Sequence, residues 1–271
     1  MTAVEVESFT GAREGHVRRV LGGEWIKTRS IRSTQWSLVA LAVATIGIAI
    51  LACAREAAHW NLLSLDDQRS TDVTLLSLNG WYLGQLVVGV LGVLAITSEY
   101  GNGMIRTTFA AVPQRRLLLA AKAIVIATVV LCVGLVLSFA AFLVGQAFLA
   151  STGHGASLGD GDVLRAVVGA ALYATTVALL GFGLGALFRS TAGAVSGLFG
   201  VLFLPPVLAE AFTGSWHRTI QRYAPMNAGS RILTVLPSQN ALSPWTGMAV
   251  LAGCTAAVLV AAFWIVRHRD A

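Results

Sequence analysis

Histidine, cysteine, serine and carboxylate side chains are the groups that could do covalent or metal chemistry in this chain, and their spacing argues against most of it. The five histidines, His16, His59, His154, His217 and His268, lie outside the apolar centres of the sequence. Ser138 and Ser196 fall inside apolar stretches with no histidine at comparable depth, so no nucleophile is paired with a general base there. There is no HExxH sequence and no pair of carboxylates within an apolar stretch. Cys53, Cys132 and Cys254 are isolated, odd in number and within or at the ends of apolar runs, where cysteine behaves as a small hydrophobe; they make neither a metal site nor a disulfide framework. A phosphate-binding loop needs a lysine after a glycine-rich turn and before Ser or Thr. Lys27 precedes Thr28, but Leu21 and Ile26 stand where glycines are required, and Lys122 is followed by Ala123. This chain binds no cofactor by these criteria, and any ATP must be hydrolysed by another chain.

The elements that surround these residues are apolar and long. Of 271 residues, 56% are hydrophobic and 12% charged, against roughly 45–50% and about 25% in soluble domains. Six runs almost free of charge, 36–53, 81–97, 117–149, 163–188, 192–212 and 245–266, are each read as a transmembrane helix, since a helix crosses the hydrocarbon in about 20 residues. The first run is too long, and its polar leader too extended, for a signal peptide. The net charge of +6 is almost all arginine, the only lysines being Lys27 and Lys122. An even number of spans puts both termini on one side. Arg13, Arg18, Arg19, Lys27, Arg29, Arg32, Arg106, Arg115, Arg116, Lys122, Arg189, Arg267 and Arg269 then share the cytoplasmic face, as the positive-inside rule requires. Six cations remain outside; three of them, Arg218, Arg222 and Arg231, lie in a segment whose short apolar pieces, punctuated by Pro225, Pro237 and Pro244, read as interfacial or re-entrant helices.

Within the spans, Gly80 and Gly84, Gly181 and Gly185, and Gly193 and Gly197 form small-xxx-small pairs that let helices approach closely, either inside one subunit or at a moving or dimerising interface. Pro205 and Pro206 should break or end the fifth helix. Gln85, Ser138, Gln146, Thr175 and Thr176 are polar groups within spans, suited to inter-helix hydrogen bonds or to a substrate path. No charge lies near the middle of a span, which argues against proton or sodium coupling and for an apolar or amphipathic cargo.

Two stretches on the cytoplasmic side are the most informative. Residues 16–33 place Val17, Val20, Leu21, Trp25 and Thr28 at helical spacing with cations elsewhere on the wheel, as in a helix lying on anionic lipid, weakened by Gly22 and Gly23. Between spans two and three, Glu99 ends one helix and Gly101 and Gly103 allow a sharp turn. Met104 to Ala111 can then form a short helix, stopped by Pro113 before Arg115 and Arg116. Such a segment either transmits a push or merely fixes topology.

The sequences EWIKTRSIRSTQWSL (Glu24 to Leu38) and EYGNGMIRTTFAAVPQRR (Glu99 to Arg116) resemble the connecting helix and the coupling helix of type-2 ATP-binding-cassette exporter permeases. The drug-export-like members of GC-rich bacteria are the nearest in character, and an Ala-, Gly- and Arg-rich composition agrees with that origin. The resemblance covers essentially the whole chain. It implies an all-α polytopic membrane protein with a cytoplasmic tail and amphipathic connecting helix (1–35), a six-span domain (36–266) and a short cytoplasmic tail (267–271). It implies multi-pass insertion in the plasma membrane and two permease subunits, identical or different, each docked on an ATP-binding subunit that holds ATP and Mg. Carried over by position, Gly101, Gly103, Met104, Ile105, Arg106 and Thr107 would meet the ATPase between Glu99 and Arg116, supported by Glu24, Trp25, Lys27, Arg29 and Arg32. The function implied is ATP-driven export of lipophilic compounds such as antibiotics. The residues alone leave two alternatives, a membrane sensor or scaffold with a basic cytoplasmic surface, and an enzyme at the outer leaflet acting through Glu210 and His217.

Overall fold

The computed structural model describes residues 18, 20–101, 115–150, 153–237 and 241–268, and all of its regular structure is helical. The helices are α1 (20–30), α2 (Arg32–His59), α3 (Leu65–Ser70), α4 (Val73–Leu78), α5 (Trp81–Gly101), α6 (Arg115–Ala150), α7 (Val163–Phe188), α8 (Thr191–Ala209), α9 (Gly214–Tyr223), α10 (Pro225–Ser230) and α11 (Pro244–His268). Six stretches are long and apolar enough to cross a membrane: Arg32–Leu62, Val73–Gly101, Arg116–Ala150, Val163–Phe188, Thr191–Ala209 and Pro244–Val266. They coincide with the six expected spans, the first three with longer ends, the fourth with the same bounds and the fifth ending at Ala209 rather than at 212. The near end of the bundle carries α1, the end of α5, the start of α6 and the α7–α8 turn. The far end carries the short helices α3, α4, α9 and α10.

The centre of the bundle is α7, packed on α5, α6, α8 and α11 and buried for most of its length. Its sequence explains this. Ala166, Gly169, Ala170, Ala171, Ala174, Ala178, Gly181 and Gly185 leave little side chain between backbones, and apolar lipid offers no competing drive, so packing is won by close approach. A Cβ on Gly181 would stand 2.2 Å from the Gly89 carbonyl oxygen of α5, and one on Gly92 would stand 1.9 Å from the Ala178 carbonyl oxygen. Gly80 meets the Thr45 backbone of α2 in the same way, at 2.2 Å. These glycines pack helices within one subunit. Gly193 and Gly197 do not; their nearest neighbour is Phe188 of the preceding turn.

Three helices form an outer ring. On α2, α8 and α11 large side chains such as Trp36, Val43, Leu51, Leu204, Val207, Val260 and Trp264 point outward, as expected where the solvent is lipid.

The proline pair does not break α8. The helix runs through Pro205 and Pro206 and ends at Ala209. The two prolines lack the N–H groups that would reach the carbonyls of Val201 and Leu202; the helix nevertheless continues to Ala209, and carbonyls of its end find side chains of α9: Pro206 O accepts from Gln221 Nε2 at 3.3 Å and Ala209 O from His217 Nδ1 at 3.0 Å. The inward face of α1 is Val20, Glu24, Lys27 and Thr28, while Trp25 and Ile26 are exposed; that face meets an apolar patch at Val20 and a charged one at Glu24 and Lys27.

Close approach at Gly92 makes a specific demand. Gly92→Val should lower stability by about 1–3 kcal/mol, the usual penalty of overpacking. Gly200→Ala, whose Cβ would meet nothing within 4 Å, should leave the thermal midpoint of the detergent-purified chain unchanged or raised. Equal melting of the two variants would refute the backbone contact.

Candidate functional site

Near-end packing turns on four ionised side chains from three helices. Helix α1 lies across the start of α6, with Val20 packed on Leu118 and Ala121. One turn further along the same face is Glu24, then Lys27 and Thr28. At Ile31 the backbone is extended (φ −76°, ψ 119°), which ends α1 and lets α2 start at Arg32. Gln35 Nε2 closes the corner on Arg29 O at 3.1 Å.

Lys122 sits two turns into α6, only 5% exposed. Its ammonium donates to Glu24 Oε2 at 2.5 Å and to Glu99 Oε1 at 2.6 Å. Glu99, in the last turn of α5 and 2% exposed, also receives Lys27 Nζ. The cluster is neutral, two lysines with two glutamates, and it uses every lysine in the chain. Burial of single charges is prohibitive, whereas a closed set in good geometry can offset its desolvation. Beside the cluster is a cavity of about 40 Å³ bordered by Thr28, Ser98 and Glu99. Glu99 Oε2 has no hydrogen-bond partner among the described residues.

The rest of the last turn of α5 is held as firmly. Thr97 Oγ1 accepts from Thr191 Oγ1 at 2.9 Å, joining α5 to the first residue of α8. The Arg189 guanidinium lies 5.6 Å from the centre of the Tyr100 ring. Arg189 itself is left-handed (φ 52°, ψ 15°), with its N–H on Gly185 O, and Ser190 Oγ then caps α8. Within four residues, α5 therefore grips α1, α6 and the α7–α8 turn.

The expected coupling helix and its residues Gly103, Met104, Ile105, Arg106 and Thr107 lie outside the described residues. Gly101 is the exposed last residue of α5, and Arg116 is exposed at the start of α6. The connecting-helix residues split. Glu24 and Lys27 enter the cluster, while Trp25, Arg29 and Arg32 face outward. Lys122, which bridges the whole site, was not among the residues expected there. The signal available was a lysine inside an apolar run of a chain otherwise using arginine.

The polar residues of the spans are mostly engaged with one another. Gln85 accepts from the Tyr173 hydroxyl and donates to Tyr82 O at 2.9 Å. Gln146 donates to Val73 O and Ser77 Oγ and accepts from Ala156 N at 2.7 Å. Thr175 and Thr176 bond the carbonyls one turn back on α7. Ser138 Oγ is buried with no partner among the described residues. At the far end Glu210 accepts from Gln221, and His217 bonds the Ala209 carbonyl, so the two hold separate partners.

Removing Lys122 leaves two buried carboxylates with one partner between them. Lys122→Met should cost about 3–5 kcal/mol, as expected when a buried pair loses one member. Lys27→Met should cost less, because its side chain is 29% exposed. Neutralising all three partners in Glu24→Gln/Glu99→Gln/Lys122→Met should recover part of the loss. Thermal unfolding in mild detergent reads this order, and wild-type melting of Lys122→Met would overturn it.

Comparison with known families agrees with this architecture. A family model described as ABC-2 family transporter protein matches residues 21–204, from α1 through the charge cluster and nearly to the end of α8. No curated protein matches the chain. In this family the chain is the transmembrane permease, and ATP is bound by a separate subunit. With six membrane-crossing helices and two-thirds of its length matched, the chain belongs to the ABC-2 transporter family and is a multi-pass membrane permease of an ATP-binding-cassette transporter.

Proposed function

We propose that this permease exports lipophilic or amphipathic compounds, antibiotics among them, across the plasma membrane. In this reading it works as one of two permease subunits, and each is docked on its ATP-binding subunit through α1 and the segment from Glu99 to Arg116. Both termini are cytoplasmic. The exposed Arg18, Arg29, Arg32 and Arg116, all at the near end, support that orientation.

The observation that carries the reading is the grip of the last turn of α5 on its neighbours. In sequence, the segment 102–114 lies between Glu99 and Lys122, which are themselves ion-paired. A displacement imposed there by closing ATPases therefore reaches α1, α5 and α6 together, and through Thr191 and Arg189 it reaches α7 and α8. Rigid units that move about small-residue contacts can exchange an inward-facing for an outward-facing packing. ATP shifts that equilibrium because the partner binds it better in one of the two states. Ser138, whose buried hydroxyl has no hydrogen-bond partner among the described residues, is, of the polar residues expected along the path, the one left to meet cargo.

Two substitutions test the route. Arg106→Glu and Gly103→Pro should leave the permease in the membrane and the partner's ATP turnover measurable, while export falls roughly tenfold or more, as loss of a coupling free energy implies. Unchanged export by both variants would count against the assignment. A purified chain that brings no ATP-binding subunit with it would do the same.

A further inference from the structure

At the far end, opposite α1 and the arginines that flank it, a pocket of about 180 Å³ is lined by Arg218, Arg222, Arg231, His217, Gln221 and Asn227. Cations normally gather on one side of a membrane protein, and these three are on the other. Helix α9 puts Arg218 and Arg222 one turn apart on one face, and Arg231 follows α10 to close the opposite wall. Among the described residues none of the three pairs with a carboxylate. The one nearby acid, Glu210, is taken by Gln221 Nε2 at 2.7 Å, and Asn227 Nδ2 holds Gln221 Oε1 at 2.5 Å. Arg222 additionally lies 5.9 Å from the Tyr223 ring centre. His217, with Nδ1 on the Ala209 carbonyl, has Nε2 left over. The walls are thus fixed by amide hydrogen bonds while three guanidinium groups remain uncompensated.

The same helix fixes the depth of the pocket. Trp216 and Tyr223, two turns apart, are 69% and 50% exposed, and amphipathic rings on an outward helix face settle at the headgroup level. An anion at that depth is a lipid phosphate, and guanidinium forks match phosphate oxygens bidentately. We propose that the Arg218, Arg222 and Arg231 pocket binds a phosphate ester, supplied by the headgroup of an anionic phospholipid, and so anchors α9 and α10 in the far leaflet. The proposal is independent of cargo and of coupling to ATP.

The test uses the full-length chain in nanodiscs of mixed phosphatidylglycerol and phosphatidylcholine, with retained lipid counted by native mass spectrometry. Wild type should keep phosphatidylglycerol in preference. Arg218→Gln/Arg222→Gln/Arg231→Gln should lower that preference by roughly tenfold, given the attraction of each surface cation to anionic lipid. The exposed single change Arg222→Gln should lower it partially without altering thermal melting. Arg29→Gln/Arg32→Gln, at the other end, should leave this lipid in place. Glycerol phosphate added from solution separates the sources. Failure to displace the lipid supports a headgroup, and displacement supports the phosphate site with a soluble ester as its occupant. Equal retention of both lipids by wild type, or equal preference in wild type and the triple variant, overturns the site.

Discussion

Everything at the near end depends on one ammonium group. Lys122 stands between Glu24 and Glu99, and no other side chain in the cluster touches partners on both α1 and α5. The charges are drawn from positions 98 and 23 residues away along the chain, so the cluster closes only when three helices are already aligned. An ion set of this kind adds little net stability over a well-packed apolar substitute, but it penalises every arrangement in which one member is left alone. The requirement is directional: α1 cannot rotate or slide on α6 without stranding a carboxylate. An amphipathic helix that would otherwise float on lipid is thereby made part of the bundle.

This matters because the bundle is itself stiff in one place and loose in another. Between α5 and α7 backbone meets backbone at Gly89, Gly92 and Gly181, with no flexible side chain to absorb a shift. Outside that pair, α2, α8 and α11 present most of their surface to their surroundings. A load arriving at Glu99 is carried by the rigid α5–α7 pair, whereas the outer helices are free to repack against lipid or another subunit. The ends differ in the same sense. The near end is tied by ion pairs, the far end by amides that meet backbone. Asp72 accepts from the amides of Val235 and Leu236 while Arg165 donates to the carbonyls of Ile232 and Thr234, holding one strap of chain from both sides.

What could be read in the sequence was whatever repeats locally. Apolar runs long enough to cross a bilayer located all six spans, and in the glycine pairs at 80/84 and 181/185 one member of each, Gly80 and Gly181, lies against backbone of a neighbouring helix. Hydrophobic spacing alone does not show which face of α1 turns inward, since that face carries Glu24 and Lys27 beside Val20 and is matched to a distant lysine. The proline pair was expected to break or end the fifth helix; α8 runs through it and ends at Ala209, where side chains of α9 take up terminal carbonyls. The charge cluster was half visible. Glu24, Lys27 and Glu99 stood in the stretches that resembled docking elements, but their mutual pairing through Lys122 is a long-range fact that no local pattern encodes.

The use of lysine rather than arginine in the cluster is itself informative. The chain carries 19 cationic residues and only two lysines, so a composition that favours arginine has been overridden at both positions. A planar guanidinium presents a fork suited to one carboxylate or phosphate at a time, whereas an ammonium is a compact point charge with three donors that can face several acceptors. Lys122 must meet carboxylates arriving from two different helices within 2.6 Å, and the compact group satisfies both without enlarging the helix interface. The arginines Arg18, Arg29, Arg32 and Arg116 are exposed, where bidentate contact with phosphate-bearing surfaces is an advantage. At the near end the two lysines therefore hold helices together at the charge cluster, while Arg18, Arg29, Arg32 and Arg116 face the surroundings.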